Sequence, residues 1–481
     1  MSNKLLEPTY ENLINHYLHD TIGRNEDLFY FVRMLSELDG GSAVALNGAW
    51  GSGKTFFVKQ TKMLIDIHNP NSDIDIEISD ADERTSIKGV YNNFNVDSEA
   101  FEMQKIATVY YDAWKYDDSI DPLLSLIYCI IIRYNENINP NKIKWMKNAL
   151  VKSLPLFNGL VKSVTGLDLK ETLEGLKNIL EAKEDWFQQI KKENDIEKQI
   201  NQFITDIVSE EDKLIIFIDE LDRCNPQYAV KLLERVKHYF NHQKVVFVIS
   251  YNKMELQHSI KTLYGAEFSA DKYLERFFDY EIGLRSIDVD KYFDSLGSDN
   301  SIMNSNMNAM TKMYRFQMRD ICKYHDCMKK AVAKFSKIKR RDIHSVEQSL
   351  QFYIIWFMPF IVALHFHNEN DYRKFLDGEG FDLYSDFFRT KVNQREILFG
   401  YLLNDNEKYS ANDGVVINNI AHISLKSKFQ QAYRAMFKEN ITITLGDIEV
   451  DNEVRSEFYR ICNGVSSLAD YSILMSNNDE K

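Results

Sequence analysis

The chain has 481 residues, with 58 Lys and Arg against 72 Asp and Glu, a formal net charge of −14, and 44 % hydrophobic residues. That length exceeds a single compact core, so two or three domains are expected. The acidic balance excludes a protein that coats nucleic acid over its whole surface, and the composition is that of an ordinary soluble globular protein.

The five cysteines form no regular framework and point to a reducing compartment. The start, Met1 to Pro8, lacks a signal-peptide core, so a cytoplasmic location is expected. Two apolar runs need weighing as membrane spans. Leu123 to Ile132 is far too short. Phe352 to Phe366 falls below the ~18–20 residues a bilayer helix needs and is interrupted by Pro359. A buried core helix is the expectation for it, and no integral membrane span is expected.

In chain order, residues 9–22 read as a short lead-in ending at Ile22-Gly23-Arg24. From Asn25, apolar residues at Leu28, Phe31, Val32, Leu35 and Leu38 keep helical spacing until Gly40-Gly41. A helix placed just ahead of a phosphate loop packs beside the nucleotide base, which makes Gly23 and Arg24 candidate base or ribose contacts. The alternative for Arg24 is a surface ion pair.

Next comes a strand, Ala43-Val44-Ala45-Leu46, and directly after it Gly48-Ala49-Trp50-Gly51-Ser52-Gly53-Lys54-Thr55. This is G-x-x-x-x-G-K-[ST], the phosphate-binding loop. Its glycines let backbone N–H groups turn inward around a phosphate with no Cβ in the way. Lys54 then reaches the β- and γ-phosphates, and the Thr55 hydroxyl becomes a ligand of Mg²⁺. The helix opening at Phe56 adds its N-terminal partial positive charge to the cradle.

After this helix, the stretch from His68 to Gln104 is polar and acidic and reads as a solvated loop. Ile106 to Tyr111 is a second strand, followed by Asp112-Ala113-Trp114-Lys115-Tyr116. Residues 117–212 form an insert of helical character, with an amphipathic stripe over 170–206.

Lys213 to Ile218 is a continuous apolar run, the pattern of a strand buried on both faces of a parallel sheet. Asp219 at its end is the expected Mg²⁺ acid, and Glu220 stands where a general base polarises the attacking water. Asn225-Pro226 starts a helix to about Asn241, and Lys244 to Ser250 is another buried strand. Asn252, just past that strand, is a candidate for reading the γ-phosphate or orienting the water, the alternative being a turn residue. A helix at 270–277 precedes a fifth strand, Phe278 to Leu284. Its Arg276 is a candidate arginine finger or sensor, with an ion pair to Glu275 or Asp279 as the alternative.

Alternation of strands and helices implies a parallel sheet with helices on both faces and the ligand at the strands' carboxyl ends. The fold class expected is α/β: a three-layer P-loop sandwich with an additional strand, 244–250, between the P-loop strand and the Walker B strand. Residues 297–308 read as a polar loop and a domain boundary. Beyond it the pattern is mostly helical, so the domains expected are 1–285 and a helical 286–481. Basic residues crowd 323–341, where a solvated helix face is favoured over nucleic acid. Cys322, His325 and Cys327, and His238 with His242, lack further partners at zinc spacing and read as structural.

Taken together, these residues resemble the KAP family of P-loop NTPases. The pieces are Ile22-Gly23-Arg24, the 48–55 loop, Asp112 to Tyr116, Phe217-Ile218-Asp219-Glu220-Leu221-Asp222-Arg223-Cys224, and Tyr273 to Phe278. The resemblance covers roughly residues 20–285 and implies an additional-strand nucleotide domain, ATP with Mg²⁺, and hydrolysis used as a conformational switch. It further implies a part in bacterial phage defence or signalling, for which a protein effector or co-encoded defence partner is expected; whether the chain also forms a homo-oligomer is left open by the sequence. Many members carry transmembrane helices between the two Walker motifs. Here Lys152 and Lys162 interrupt 148–169, which favours a member without them.

Overall fold

The computed structural model describes residues 7–69, 81–94, 105–118, 122–135, 200–202, 204–205, 208, 213–240, 242–297, 301–338, 344–384, 402, 407–409, 416–417, 420–423, 425–439 and 441–463. Most of the 170–206 stripe, most of the acidic 68–104 stretch and Lys339 to Arg341 lie outside the described residues. Two compact units divide the chain between Ser286 and Ile287.

The first unit opens with helices α1 (Tyr10–Leu18) and α2 (Asn25–Glu37), the first lying where the sequence suggested only a lead-in. Thr9 starts α1 by accepting the Asn12 N–H, and Leu13, Ile14 and Tyr17 bury its inner face. Strand β1 (Ala43–Asn47), the loop and helix α3 (Lys54–His68) follow. Then come α4 (Ala81–Asn92), β2 (Ile106–Asp112), α5 (Pro122–Asn135), β3 (Lys213–Asp219), α6 (Pro226–Tyr239), β4 (Val245–Tyr251), α7 (Lys253–Tyr264), α8 (Ala270–Leu274) and β5 (Tyr280–Gly283). Helix α4 falls inside the stretch read as a solvated loop, where Ile87 and Tyr91 supply the buried side that the acidic residues mask in the sequence.

The five strands are parallel, in the order β2-β3-β4-β1-β5. β4 therefore pairs with β1 on one side and β3 on the other. Every residue of β3 and β4 is buried, because both faces are covered. Ala45, Tyr111, Ile216, Ile218, Phe247 and Ile249 turn to one face and pack with residues of α5, α6, α7 and α8. α3 packs on the opposite side with α1, α2 and α4 around it. At the amino end of β3, the Lys213 ammonium donates to the carbonyls of Leu35, Ser36 and Leu38, closing the last turn of α2.

The second unit contains helices α9 (Val289–Ser295), α10 (Ile302–Met313), α11 (Met318–Ile338), α12 (His344–Trp356), α13 (Met358–His367) and α14 (Glu369–Leu376). Short strands β6 (Glu407–Tyr409), β7 (Val416–Ile417) and β8 (Ile420–Ile423), helix α15 (Leu425–Phe437), hairpin strands β9 (Ile443–Leu445) and β10 (Ile448–Val450), and helix α16 (Asn452–Asn463) complete it. Helix α10 corrects the polar-loop reading of 297–308. Ser301 caps it by accepting the Asn304 N–H, and Asn306, Met307, Met310 and Thr311 are buried on one side despite the polar composition.

The apolar run 352–366 divides between α12 and α13, bent by 43° with Pro359 in the first turn of α13. Among the described residues no single helix is long and apolar enough to cross a membrane. Phe352, Trp356, Phe357 and Phe360 from this pair are buried inside the unit against aromatic neighbours such as Phe429 and Tyr384.

Candidate nucleotide site

Because the strands run parallel, their carboxyl ends share one edge, and the register brings the sequence motifs together there. Asn47 ends β1 opposite Tyr251, Leu46 stands beside Ser250, and Asp112 pairs in register with Asp219. The loop is built by positive φ at Gly51 (79°) and Gly53 (90°), conformations that only glycine adopts without cost. Gly48 is constrained by space. A Cβ there would come within 2.8 Å of the Ser52 hydroxyl and 3.1 Å of the Lys54 side chain.

The Lys54 ammonium, 8 % exposed, donates to the carbonyls of Gly48 at 2.8 Å and Ala49 at 3.3 Å. It lies 3.9 Å from Asp222 Oδ2. Burial pulls its pKa below the ordinary lysine value, while Asp222, Asp219 and Glu220 pull it back. One residue on, the Thr55 hydroxyl donates to Glu220 Oε1 at 3.1 Å. The loop and the end of β3 therefore converge through side chains 165 positions apart.

Asp219 is fully buried. Its Oδ2 accepts the Tyr110 hydroxyl at 2.9 Å, and its Oδ1 is buried with no hydrogen-bond partner among the described residues. A buried carboxylate oxygen left in this state is costly unless a cation or donor completes it. Together with Thr55 and a glycine cradle, that oxygen fits a hard divalent cation on a phosphate. Glu220 adopts the left-handed conformation (φ 59°, ψ 28°), rare for a residue with a side chain. That turn swings its carboxylate back over Thr55, and Oε2 pairs with Arg223. Burial, then the charge of Asp219, raise its pKa above the usual carboxylate value, opposed by Arg223 and the Thr55 hydrogen bond. Arg223 in turn lies over the Trp114 ring at 5.4 Å, which gives the Asp112 to Tyr116 stretch a place at this edge.

Other expected residues fall differently. Trp50 is half exposed, and its indole N–H donates to Asp222 Oδ2 at 2.6 Å. The Phe56 ring is buried edge-on to His16 at 5.3 Å, so only its backbone faces the loop's helix start. Arg24 is buried behind the loop, where it donates to the carbonyls of Ser52, at 3.0 Å, and Arg285. Its burial corrects the surface ion-pair reading of Arg24. The guanidinium buttresses the loop's backbone and has no ion-pair partner among the described residues, with Gly23 (φ 69°) supplying the turn ahead of α2.

Asn252 caps α7, its Oδ1 accepting the Met254 N–H at 3.2 Å, so this oxygen serves the turn. The neighbouring Ser250 instead presents a buried hydroxyl with no partner among the described residues. Arg276 is exposed in the turn leading to β5, and that turn runs beside the start of β1, where the Asp279 N–H meets the Ala43 carbonyl at 2.8 Å. No contact among the described residues joins Arg276 to the loop, to Glu275 or to Asp279.

Sequence reasoning missed Tyr110, Asp222 and Arg223 as members of the site. Alternation along β2 was the available signal for Tyr110, since it places residue 110 on the same side as Asp112. No group of three or more His, Cys, Asp or Glu side chains placed to hold a metal ion occurs among the described residues, at this edge or away from it. Cys322 is paired with the Tyr292 hydroxyl, and burial pushes His325 down to about 4.

No curated protein matches the chain at a significant level. A family model, the KAP family P-loop domain, matches residues 30–348, about two thirds of the chain. That span contains the loop, the β3 acids and the whole parallel sheet. By this match the chain belongs to the KAP family of P-loop NTPases.

Proposed function

We propose that this chain is an Mg²⁺-dependent ATPase that uses hydrolysis as a conformational switch. The observation that carries the reading is the convergence of Thr55 and Glu220 at 3.1 Å, beside a buried Asp219 oxygen with no hydrogen-bond partner among the described residues. Lys54 and the loop N–H groups hold the β- and γ-phosphates, and Thr55 with Asp219 holds Mg²⁺. Bound there, the cation neutralises charge on the transferred phosphoryl group. Glu220 takes the proton of the attacking water. The water oxygen bonds to the γ-phosphorus, the bond to the β–γ bridging oxygen breaks, and ADP and inorganic phosphate leave. β4 lying between β1 and β3 supports the additional-strand class of P-loop enzymes, in which such a separate glutamate acts.

The test is turnover and equilibrium nucleotide binding in two variants. Lys54→Ala should lose nucleotide binding, and Glu220→Gln should bind ATP while hydrolysing it at least ~100-fold more slowly. Wild-type turnover in Glu220→Gln removes that residue's role.

One observation favours a second reading, a nucleotide-sensing scaffold that hardly hydrolyses ATP: both Glu220 oxygens are engaged, one by Thr55 and one by Arg223. Turnover of the wild-type protein with and without a co-encoded partner separates the two. A part in bacterial phage defence or signalling rests on the family resemblance, and loss of protection against phage in Lys54→Ala cells tests it. A transition-state cation from Arg276 of a neighbouring copy is consistent with that residue's exposure, and mixing Arg276→Ala with Lys54→Ala protein would reveal it as restored turnover.

A further inference from the structure

Asp222 has no part in the scheme above, yet its side chain is wholly buried in the middle of the site. It is the third acid in Asp219-Glu220-Leu221-Asp222, carried on the short 3₁₀ turn Leu221–Arg223 that follows the left-handed Glu220. Its Oδ2 takes the Trp50 indole N–H at 2.6 Å and faces the Lys54 ammonium at 3.9 Å. Its Oδ1 is buried with no hydrogen-bond partner among the described residues. A buried carboxylate so thinly solvated keeps a strong hold on the nearest cation and repels any anion brought beside it.

We propose that Asp222 and Trp50 together set the affinity of the loop for nucleotide: the carboxylate competes with phosphate for Lys54, and the indole N–H weakens that competition. The inference rests on the nucleotide-binding reading of this loop and deepens it. A triphosphate that engages Lys54 draws the ammonium from Gly48, Ala49 and Asp222, and places its own charge a few ångströms from the carboxylate. Asp222 thus opposes tight binding and favours release. Trp50 reaches the same Asp222 oxygen from the other side of the loop sequence, and its hydrogen bond draws electron density away from the oxygen that faces Lys54. The half-exposed indole also makes the contact visible, because a change at its N–H alters its fluorescence.

The sign of each effect follows. Asp222→Asn removes the negative charge and keeps an oxygen for the indole, so ATP should bind about tenfold more tightly. Trp50→Phe strips the carboxylate of its hydrogen bond, so ATP should bind about threefold more weakly. With Asn at 222, the same Trp50→Phe change should alter affinity less than about twofold, because no charge is left to moderate.

The experiment is equilibrium titration of the full chain and these three variants with ATP and Mg²⁺, alongside intrinsic fluorescence. The ATP-induced emission change of wild type minus that of Trp50→Phe isolates Trp50. The expected result is the tightening, the weakening and their non-additivity, with an emission change assigned to Trp50. Equal or weaker binding by a folded Asp222→Asn protein overturns the proposal. So does a Trp50→Phe effect of the same size in both backgrounds. Should Asp222→Asn fail to fold, Trp50→Phe decides alone: unchanged or tighter binding overturns it. Failure of the wild-type chain to bind ATP instead strikes the nucleotide reading, and the two failures are thereby distinct.

Discussion

The carboxyl edge of the parallel sheet and the aromatic core of the second unit both bury polar atoms, and the acids and serines of the first are treated differently from the tyrosines of the second. In the second unit the buried tyrosines are finished. Tyr353 donates to the Ala432 carbonyl at 2.8 Å, Tyr324 to Pro359 at 2.9 Å, Tyr384 to Trp356 at 2.5 Å and Tyr433 to Phe375 at 2.6 Å. At the sheet edge, Asp219 Oδ1, Asp222 Oδ1, and the hydroxyls of Ser52 and Ser250 are buried with no partner among the described residues. A core spends its polar groups on its own backbone, since each unmet one costs about 1–3 kcal/mol. Concentrating unmet groups beside a glycine loop sacrifices stability to keep donors and acceptors available for a ligand. The left-handed Glu220 adds backbone strain at the same place.

Three measurements would break or sharpen this contrast. The largest effect is expected from Asp219→Asn. Turnover should fall about 100-fold or more, while the thermal unfolding midpoint rises, because a buried carboxylate with one unmet oxygen is gone. A drop in both would place Asp219 among the finished, structural groups. The second is Tyr353→Phe, which should cost the second unit about 1–2 kcal/mol by denaturant unfolding and leave nucleotide binding unchanged. No loss of stability would mean that this core does not depend on its hydroxyls.

The smallest is a shift in pH dependence. In the proposed mechanism Glu220 serves as base only when ionised, so turnover should be lost as pH falls through its pKa. Because that pKa is raised by burial and Asp219, the loss begins at a higher pH than for a free carboxylate. Arg223 opposes the rise, so Arg223→Ala should move the acid limb to still higher pH and leave the rate on the alkaline side little changed. An unmoved limb would show that another group governs it.

The sequence alone determined the glycine loop with Lys54 and Thr55, the buried strand ending in Asp219 and Glu220, and the alternation that makes the sheet parallel. Each depends on residues adjacent in the chain, or on a period of burial that the backbone imposes. Tertiary structure alone decided which side chains meet across the sheet edge. The Trp50–Asp222 bond joins residues 172 apart, and the Tyr110–Asp219 bond joins residues 109 apart. Arg24 became a buttress and Asn252 a helix cap for the same reason. Both have the right chemistry for a ligand, but the direction of a side chain is set by the packing of neighbouring elements, and local spacing carries no record of it. Helices α1, α4 and α10 escaped notice because their apolar faces are narrow and their polar residues numerous, and burial against the rest of each unit supplied what intrinsic preference did not.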